Sequence, residues 1–178
     1  MTFFLATSGS LTAQEPVIPY VPPRPANTLV MLPDGSTVHV ELATTEKERN
    51  YGLMGRTRLP EGRGMLFVHE QPGHYAYWMY HCKIALDILW MNQDHQIVEM
   101  SARTPPCTGE ANTCPSYGGK QASLYVLELP EGDIAKHRLT VGETINFQLP
   151  SGNSDSASIQ DQSTVPESGS SLTSRAHK

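Results

Sequence analysis

Between residues 48 and 94 the chain contains Arg49-Asn50-Tyr51-Gly52-Leu53-Met54-Gly55-Arg56, then Gly64-Met65-Leu66-Phe67, then Trp78-Met79. Glycines, apolar residues and a few charged residues are denser here than in the rest of the 178-residue chain. Glycines permit helix ends and tight turns, and the apolar residues between them are typical of a packed core. The segment therefore identifies a structural module, although it does not by itself identify a reaction.

A short helix is predicted at the start of this segment. Thr45-Glu46-Lys47-Glu48 is a capping box, in which the Thr45 hydroxyl accepts from a first-turn amide while Glu48 reaches back to the cap. We expect the helix to run to about Leu53 or Met54, with Gly55 available to end it.

Apolar patterns on both sides of the helix predict β-strands. Leu29–Leu32 and Val38–Leu42 flank Asp34-Gly35, a favoured two-residue turn, and so predict a β-hairpin. Further strands are predicted over residues 64–68, 75–80, 84–91, 97–100, 123–129 and 145–149. Pro130 should open a second short helical turn. Seven or so strands and two short helices predict one compact, β-rich α+β domain with a barrel-like or strongly curved sheet.

Composition divides the chain into three parts. Residues 1–26 combine a signal-like N-terminus with a proline-rich linker, since five prolines fall between Pro16 and Pro25. Residues 27–150 form the predicted globular domain. Residues 151–178 are rich in Ser and poor in apolar residues, so we expect a disordered tail that cannot offset its ordering entropy.

Charge and hydropathy limit the partners and the compartment. The net charge is −5 without a basic patch, which argues against nucleic acid as a partner. No run approaches the roughly 18 apolar residues of a transmembrane span. Phe3-Phe4-Leu5-Ala6 and the small residues up to Ala13 are typical of the end of a signal peptide, although the positive n-region is missing. We therefore expect a periplasmic or secreted protein whose true start lies upstream.

The three cysteines have different predicted roles. Cys107 and Cys114 flank a segment rich in turn formers, and a disulfide between them would add about 2–3 kcal/mol. Cys82 is left over. It is either a small buried hydrophobe or a reactive thiolate whose pKa is lowered by the adjacent His81 and Lys83.

Several motifs together resemble a known family, the domain of unknown function 192 family (DUF192). They are Glu48-Arg49, Gly52–Arg56, Leu59-Pro60, Gly64–Phe67, Trp78-Met79, Leu86–Leu89 and Tyr125–Pro130. The resemblance covers about residues 29–149 and implies a compact β-rich fold, frequent export and no assigned activity. The chain departs from the family pattern where Tyr80-His81-Cys82 follows Trp78-Met79, and where Ala85 replaces a proline.

Asp87 is the most conspicuous candidate for a site residue, because a carboxylate within Ile84–Met91 is costly to bury. If it faces a cleft, its pKa should be raised and suit acid–base chemistry. The structural alternatives are a salt bridge to Arg49, Arg56 or Arg63, or hydrogen bonds from backbone amides at a strand entry.

An aromatic pocket is the second candidate. Tyr77, Trp78 and neighbouring Met and aromatic residues either line a small-ligand pocket, with Arg49 or Arg56 binding an anion at its mouth, or form ordinary core. His69, His74, His81 and His95 lack metal-site spacing and are interpreted as neutral surface histidines, so no metal or cofactor is predicted.

The functional hypothesis is an exported small-ligand-binding or accessory protein of the cell envelope, with an unknown small molecule or envelope protein as partner. Its predicted ligand-binding residues are Asp87, Arg49, Arg56, Tyr77 and Trp78, and no catalytic residue is assigned. One alternative is a small envelope enzyme that uses Asp87 with a nearby arginine or histidine. Another is a redox or metal-responsive module at Cys82.

Overall fold

The computed structural model describes residues 20–150, and the capping box begins its first helix as predicted. The Thr45 hydroxyl accepts from the Glu48 amide at 3.3 Å, and the Glu48 carboxylate accepts from the Thr45 amide at 3.0 Å. Helix α1 (Glu46–Tyr51) then ends at Gly52, earlier than predicted, because Gly52 has a φ of 48° and breaks the helical path. The signal-like residues 1–19 and the Ser-rich residues 151–178 lie outside the described part, so these two assignments stay predictions.

Besides α1, residues 20–150 form nine strands and two more short helices. The strands are β1 (Thr28–Met31), β2 (Thr37–Ala43), β3 (Arg63–Gly73), β4 (Ala76–Trp78), β5 (Leu86–Met91), β6 (Ile97–Thr104), β7 (Ser116–Gly118), β8 (Ser123–Pro130) and β9 (Asn146–Phe147). The helices are a 3-10 turn (Ala111–Thr113) and α2 (Asp133–Lys136).

Seven strands form one sheet in the order β6-β5-β8-β3-β2-β1-β9. The predicted hairpin β1–β2 is present as an antiparallel pair, and the strands predicted over residues 84–91 and 97–100 form a second antiparallel pair, β5–β6. Strands β2 and β3 are parallel, and α1 lies in the connection between them. The sheet curves so that its two edges, β6 and β9, approach each other. The Ile97 amide donates to Glu143 O and the Gly142 amide to Ile97 O, each at 2.8 Å, so the start of β6 meets the chain just before β9. The prediction of a strongly curved, β-rich α+β domain is confirmed.

The sheet separates two apolar clusters because neighbouring residues on each strand point to opposite faces. On β8, Leu127 belongs to the first cluster with Leu66 and Leu89, and Val126 belongs to the second with Phe67 and Trp90. The second cluster is the one that concerns function, because the segment that carries β4 packs over it.

Two other sequence predictions need correction. The strand predicted over residues 75–80 is only three residues long, and it pairs with β7 in a separate two-stranded sheet rather than joining the main one. Pro130 ends β8 instead of opening a helix; α2 begins three residues later, after Gly132, whose φ of 93° turns the chain.

The cysteine prediction is confirmed in both parts. Cys107 and Cys114 form a disulfide that closes the loop before β7, and Cys82 is free and buried. Within residues 20–150, no helix has the length and apolar character that a membrane crossing requires.

Candidate functional site

A cavity of about 290 Å³ opens between α1, the outer half of β3 and the segment that carries β4. Its volume is near the lower limit for sites that bind small molecules. Polar and aromatic side chains share its wall. The lining residues are Arg49, Asn50, His69, Tyr75, Ala76, Tyr77 and Trp78.

The aromatic wall is held in place by Trp90, which is fully buried in β5 beneath it. The Trp90 indole N–H donates to the Tyr75 carbonyl at 2.8 Å. Gly118 on β7 lies directly against the same indole, because a Cβ there would sit 2.2 Å from the Trp90 ring. Its φ of 70° also favours glycine. Gly118 therefore allows β7 to approach Trp90 and to pair with β4.

Arg49 supplies the positive charge of the cavity. Its Nη1 donates to two backbone carbonyls, Thr44 O at 2.7 Å and Val68 O at 2.9 Å, so the guanidinium is fixed in orientation. Its Nη2 lies 3.8 Å from the carboxylate of Glu70, a side chain that is 83% exposed. An ion pair this long and this exposed contributes little, so Nη2 remains available to an anionic ligand.

His69 forms the inner wall together with two tyrosines. Its ring stacks on Tyr75 with centroids 3.4 Å apart and planes within 5°. Its Nε2 lies 3.1 Å from the Tyr77 hydroxyl, which makes a hydrogen bond whose direction depends on the tautomer. The Tyr77 ring meets Phe67 and Trp90 edge-on, so this tyrosine belongs to the cavity and to the core at once.

His69 and Tyr77 are both uncharged at neutral pH. Burial, together with the nearby charge of Arg49, lowers the pKa of His69 to about 4. Burial raises the pKa of Tyr77 well above its usual value, and the Glu128 carboxyl beneath it adds to the rise. A fixed cation beside neutral aromatic rings and a neutral hydrogen-bonding pair can hold a small anion with a flat or apolar body.

Comparison with known proteins agrees with this architecture. The family model of DUF192, described as "Uncharacterized ACR", matches residues 29–147, which is most of the described chain. The chain belongs to the DUF192 family. No curated protein matches it.

Two solved structures are similar to this DUF192 domain. One is a protein of unknown function from Novosphingobium aromaticivorans DSM 12444, with 29% identity over 78% of this chain and 99% of that one, and a TM-score of 0.59. The other is a proposed transcription regulator from Sinorhizobium meliloti 1021, with 24% identity over 67% of this chain and 91% of that one, and a TM-score of 0.60. At that identity the second likeness shows the fold alone.

The DUF192 cavity brings together three of the five residues predicted to bind a ligand, namely Arg49, Tyr77 and Trp78. Arg56 lies elsewhere. It follows α1 and makes a bidentate ion pair with Glu41 at 2.7 and 2.8 Å, so its charge is already neutralised away from the cavity.

Asp87 also lies outside the cavity, contrary to the cleft hypothesis. It is fully buried, and its two carboxylate oxygens accept the backbone amides of Arg103 and Ile134, each at 2.7 Å. This is the alternative of backbone amides at a strand entry, since Asp87 is the second residue of β5. The arrangement leaves no face of the carboxylate for a substrate, so the acid–base hypothesis loses the geometry that it requires.

The thiolate hypothesis for Cys82 fails for a similar reason. The thiol packs in the second cluster, and burial raises its pKa to about 12, with the Glu128 carboxyl contributing. In this alternative the adjacent His81 and Lys83 would lower the pKa, but both residues are exposed whereas Cys82 is buried. A reactive thiolate needs a shift in the opposite direction.

The histidines were interpreted as surface residues, and for His69 this is wrong. Its stacking and its contact with Tyr77 could not be read from spacing, because Gln71-Pro72-Gly73 folds the end of β3 back toward β4. Tyr75 was among the aromatic residues of the predicted pocket, whereas Asn50 was given no role. Among residues 20–150, no group of three or more His, Cys, Asp or Glu side chains could hold a metal ion.

A separate polar cluster outside the cavity contains Asp34, Ser36 and His137. Their combination suggests a catalytic triad, but the geometry differs. The Ser36 hydroxyl and Asp34 both contact the same nitrogen of His137, Nδ1, at 3.0 and 2.7 Å. Ser36 also lies 2.6 Å from the other oxygen of Asp34, to which it donates. A triad needs the nucleophile and the acid on opposite ring nitrogens, so this cluster acts as a structural tie between the β1–β2 turn and α2.

Proposed function

We propose that this DUF192 domain is a non-enzymatic, exported binding protein of the cell envelope whose aromatic cavity holds a small anionic molecule. The observation that carries the proposal is the anchored guanidinium of Arg49, which lines the cavity and whose Nη1 is held by two carbonyls, while Nη2 makes only the long contact with Glu70. A carboxylate, or a similar flat anion, is the chemistry that such a group recognises best.

The walls favour a ligand with a small flat or apolar body. Tyr75 and Trp78 offer aromatic faces, and the His69–Tyr77 pair offers one neutral donor and one neutral acceptor. The volume of about 290 Å³ suits a molecule smaller than a typical drug. Export is supported by the disulfide, because such bonds persist in oxidising compartments, and by the signal-like N-terminal residues.

Benzoate is a suitable probe, with benzamide as its uncharged counterpart. In isothermal titration of the full chain, benzoate should bind saturably with one site and benzamide should bind much more weakly. Arg49→Gln should lower the benzoate affinity by about 10–100-fold, because a hydrogen bond to a charged group is lost.

Arg58→Gln is the matched control, since Arg58 is exposed and outside the cavity but its loss changes the net charge equally. It should leave the affinity unchanged. Equal weakening by the two variants would show diffuse electrostatic attraction instead of a site, and an absence of saturable benzoate binding would contradict the proposal.

A further inference from the structure

Residues 20–26, which we call the N-terminal strap, lie against the domain rather than extending away from it as a linker. The Tyr20 ring meets the Tyr51 ring edge-on at 5.6 Å. Four residues later, the Arg24 amide donates to the Glu41 carboxylate at 3.1 Å, and the Arg24 guanidinium forms an ion pair with Glu48. An aromatic contact and a charged contact therefore hold the two ends of the strap.

The strap lies in a groove between α1 and β2, on the side of α1 away from the ligand cavity. Its floor and walls include Glu41, Glu48, Tyr51, Arg56 and Met65, and we call it the strap groove. Glu41 and Glu48 are each only 8% exposed. With two carboxylates and one guanidinium, the groove itself carries one net negative charge, which the Arg24 side chain balances.

Contacts within the domain orient the carboxylates of Glu41 and Glu48, so that they can accept a cation such as Arg24. Glu41 is oriented by the bidentate contact with Arg56, and one oxygen of Glu48, Oε2, accepts the amides of Thr44 and Thr45. The other oxygen of Glu48, Oε1, forms the ion pair with the Arg24 guanidinium. The groove thus presents an oriented acceptor at a fixed place, next to an aromatic ring.

The strap has the composition of a segment that binds in an extended form. Pro22, Pro23 and Pro25 lack amide donors and favour the polyproline conformation, so the Arg24 amide is the one donor between positions 22 and 25. Grooves lined by aromatic side chains commonly bind such segments because little conformational entropy is lost.

The strap is nevertheless loosely held. The Arg24 side chain is 50% exposed and Tyr20 is 68% exposed, so the strap-side partner of each end contact is open to solvent although Glu48 is buried. A void of about 20 Å³ also remains between the strap and the groove, lined in part by Val21 and Pro22. Because Tyr20 and Arg24 keep much of their contact with water and the void forfeits packing, a competing segment can displace the strap from its groove.

We propose that the strap groove is a recognition site for extended, proline-rich segments of other chains, in which an aromatic residue precedes a proline-flanked arginine by four positions. The strap of the same chain occupies this site until a partner segment displaces it. This inference is independent of the ligand cavity, because the two sites use different residues of α1.

The test uses the full chain and a fluorescent peptide of the sequence Tyr-Val-Pro-Pro-Arg-Pro-Ala, measured by fluorescence anisotropy. Substituting both Tyr20→Ala and Arg24→Ala should release the strap, and the released protein should bind the peptide at least about tenfold more tightly than the wild type, because intramolecular competition is removed. A peptide with alanine in place of arginine should lose this binding.

Glu48→Gln in the released background should weaken peptide binding by about tenfold or more, while glutamine still completes the capping box and keeps α1 folded. Glu46→Gln is the matched control, since Glu46 lies on the same helix but is exposed and outside the groove. Concentration-dependent dimers of the wild type that Glu48→Gln abolishes would support the site, with a second copy as donor. The proposal is overturned if the released protein, folded by circular dichroism, does not bind the peptide, or if Glu46→Gln weakens binding as much as Glu48→Gln.

Discussion

Asp87 and Glu128 are both buried acidic residues on the neighbouring strands β5 and β8, yet they point to opposite faces of the sheet and meet different surroundings. Asp87 pairs across the strands with Leu129, and Glu128 with Ile88. Asp87 receives two backbone amides. The Oε2 atom of Glu128 has no hydrogen-bond partner among residues 20–150. The fold therefore accommodates one acid by hydrogen bonding and the other by protonation.

Protonation of Glu128 follows from its surroundings. Met65 and Ile88 flank it on the two adjacent strands, and the residue is 4% exposed. Burial raises its pKa to about 8. A carboxyl group without a cation or donor beside it is far cheaper to bury in its neutral form. Glu128 thus acts at neutral pH as a polar but uncharged member of the second cluster.

The same isosteric change from acid to amide should have opposite effects at the two positions, and the larger effect is at Asp87. Asp87→Asn leaves one oxygen acceptor and places an amide group against a backbone N–H. We expect the free energy of unfolding to fall by about 2–4 kcal/mol. Urea denaturation at pH 7 measures this loss. An unchanged midpoint would mean that the two backbone contacts carry no net stability.

This contrast also shows how much about the two buried acids could be predicted from the sequence. Asp87 was conspicuous because it interrupts a continuous apolar run, and backbone amides were among its predicted partners. The amides themselves come from Arg103 and Ile134, which are distant in sequence, so no local pattern could name them. Glu128 was missed because Leu127-Glu128-Leu129 has the alternation of a strand with one solvent-exposed face, whereas both faces of β8 are covered.

The fold was predictable because its signals are local: the capping box, the Asp-Gly turn, the apolar runs and the cysteine loop. The candidate site depends on the return of the chain after β3, which stacks Tyr75 on His69 and is fixed by Trp90 and Gly118. These contacts join residues from three separate strands. Sequence patterns named Arg49, Tyr77 and Trp78 from their types and density, but the pairing of His69 with Tyr77 required the tertiary structure.

A smaller effect of opposite sign is expected at Glu128. Its pKa is about 8 in the folded protein and 4.5 in the unfolded chain, so the folded state binds the extra proton between these values. The contribution of Glu128 to the free energy of unfolding is fully present below about pH 4.5. It falls by about 1.4 kcal/mol per pH unit as the pH rises toward 8. Glu128→Gln removes this fall, and at pH 8 the variant should be more stable than the wild type by about 1–3 kcal/mol.

The measurement is the difference in unfolding free energy between variant and wild type from pH 5 to 9, because the difference cancels the contributions of other groups. His69→Gln is the matched control, because folding lowers the pKa of His69 but raises that of Glu128. The folded pKa of His69 is about 4, below the unfolded 6.5, so its contribution is present above pH 6.5 and is lost as the pH falls toward 4. Its difference curve should therefore slope opposite to that of Glu128→Gln. A flat curve for Glu128→Gln would mean that Glu128 is ionised in the folded protein.

The smallest effect concerns Cys82, which lies in the second cluster, on the same face of the sheet as Glu128. Because its thiol is buried and its pKa is raised to about 12, a thiol reagent at pH 8 should react only when the protein opens. We expect no fast-reacting thiol in the native protein and one thiol per chain after unfolding without reductant. Asp87→Asn should speed the native reaction and Glu128→Gln should slow it, in proportion to the stability change of each variant. Three thiols after unfolding would contradict the Cys107–Cys114 disulfide, and equal rates in the two variants would show that Cys82 is reached by a local opening that neither acid controls.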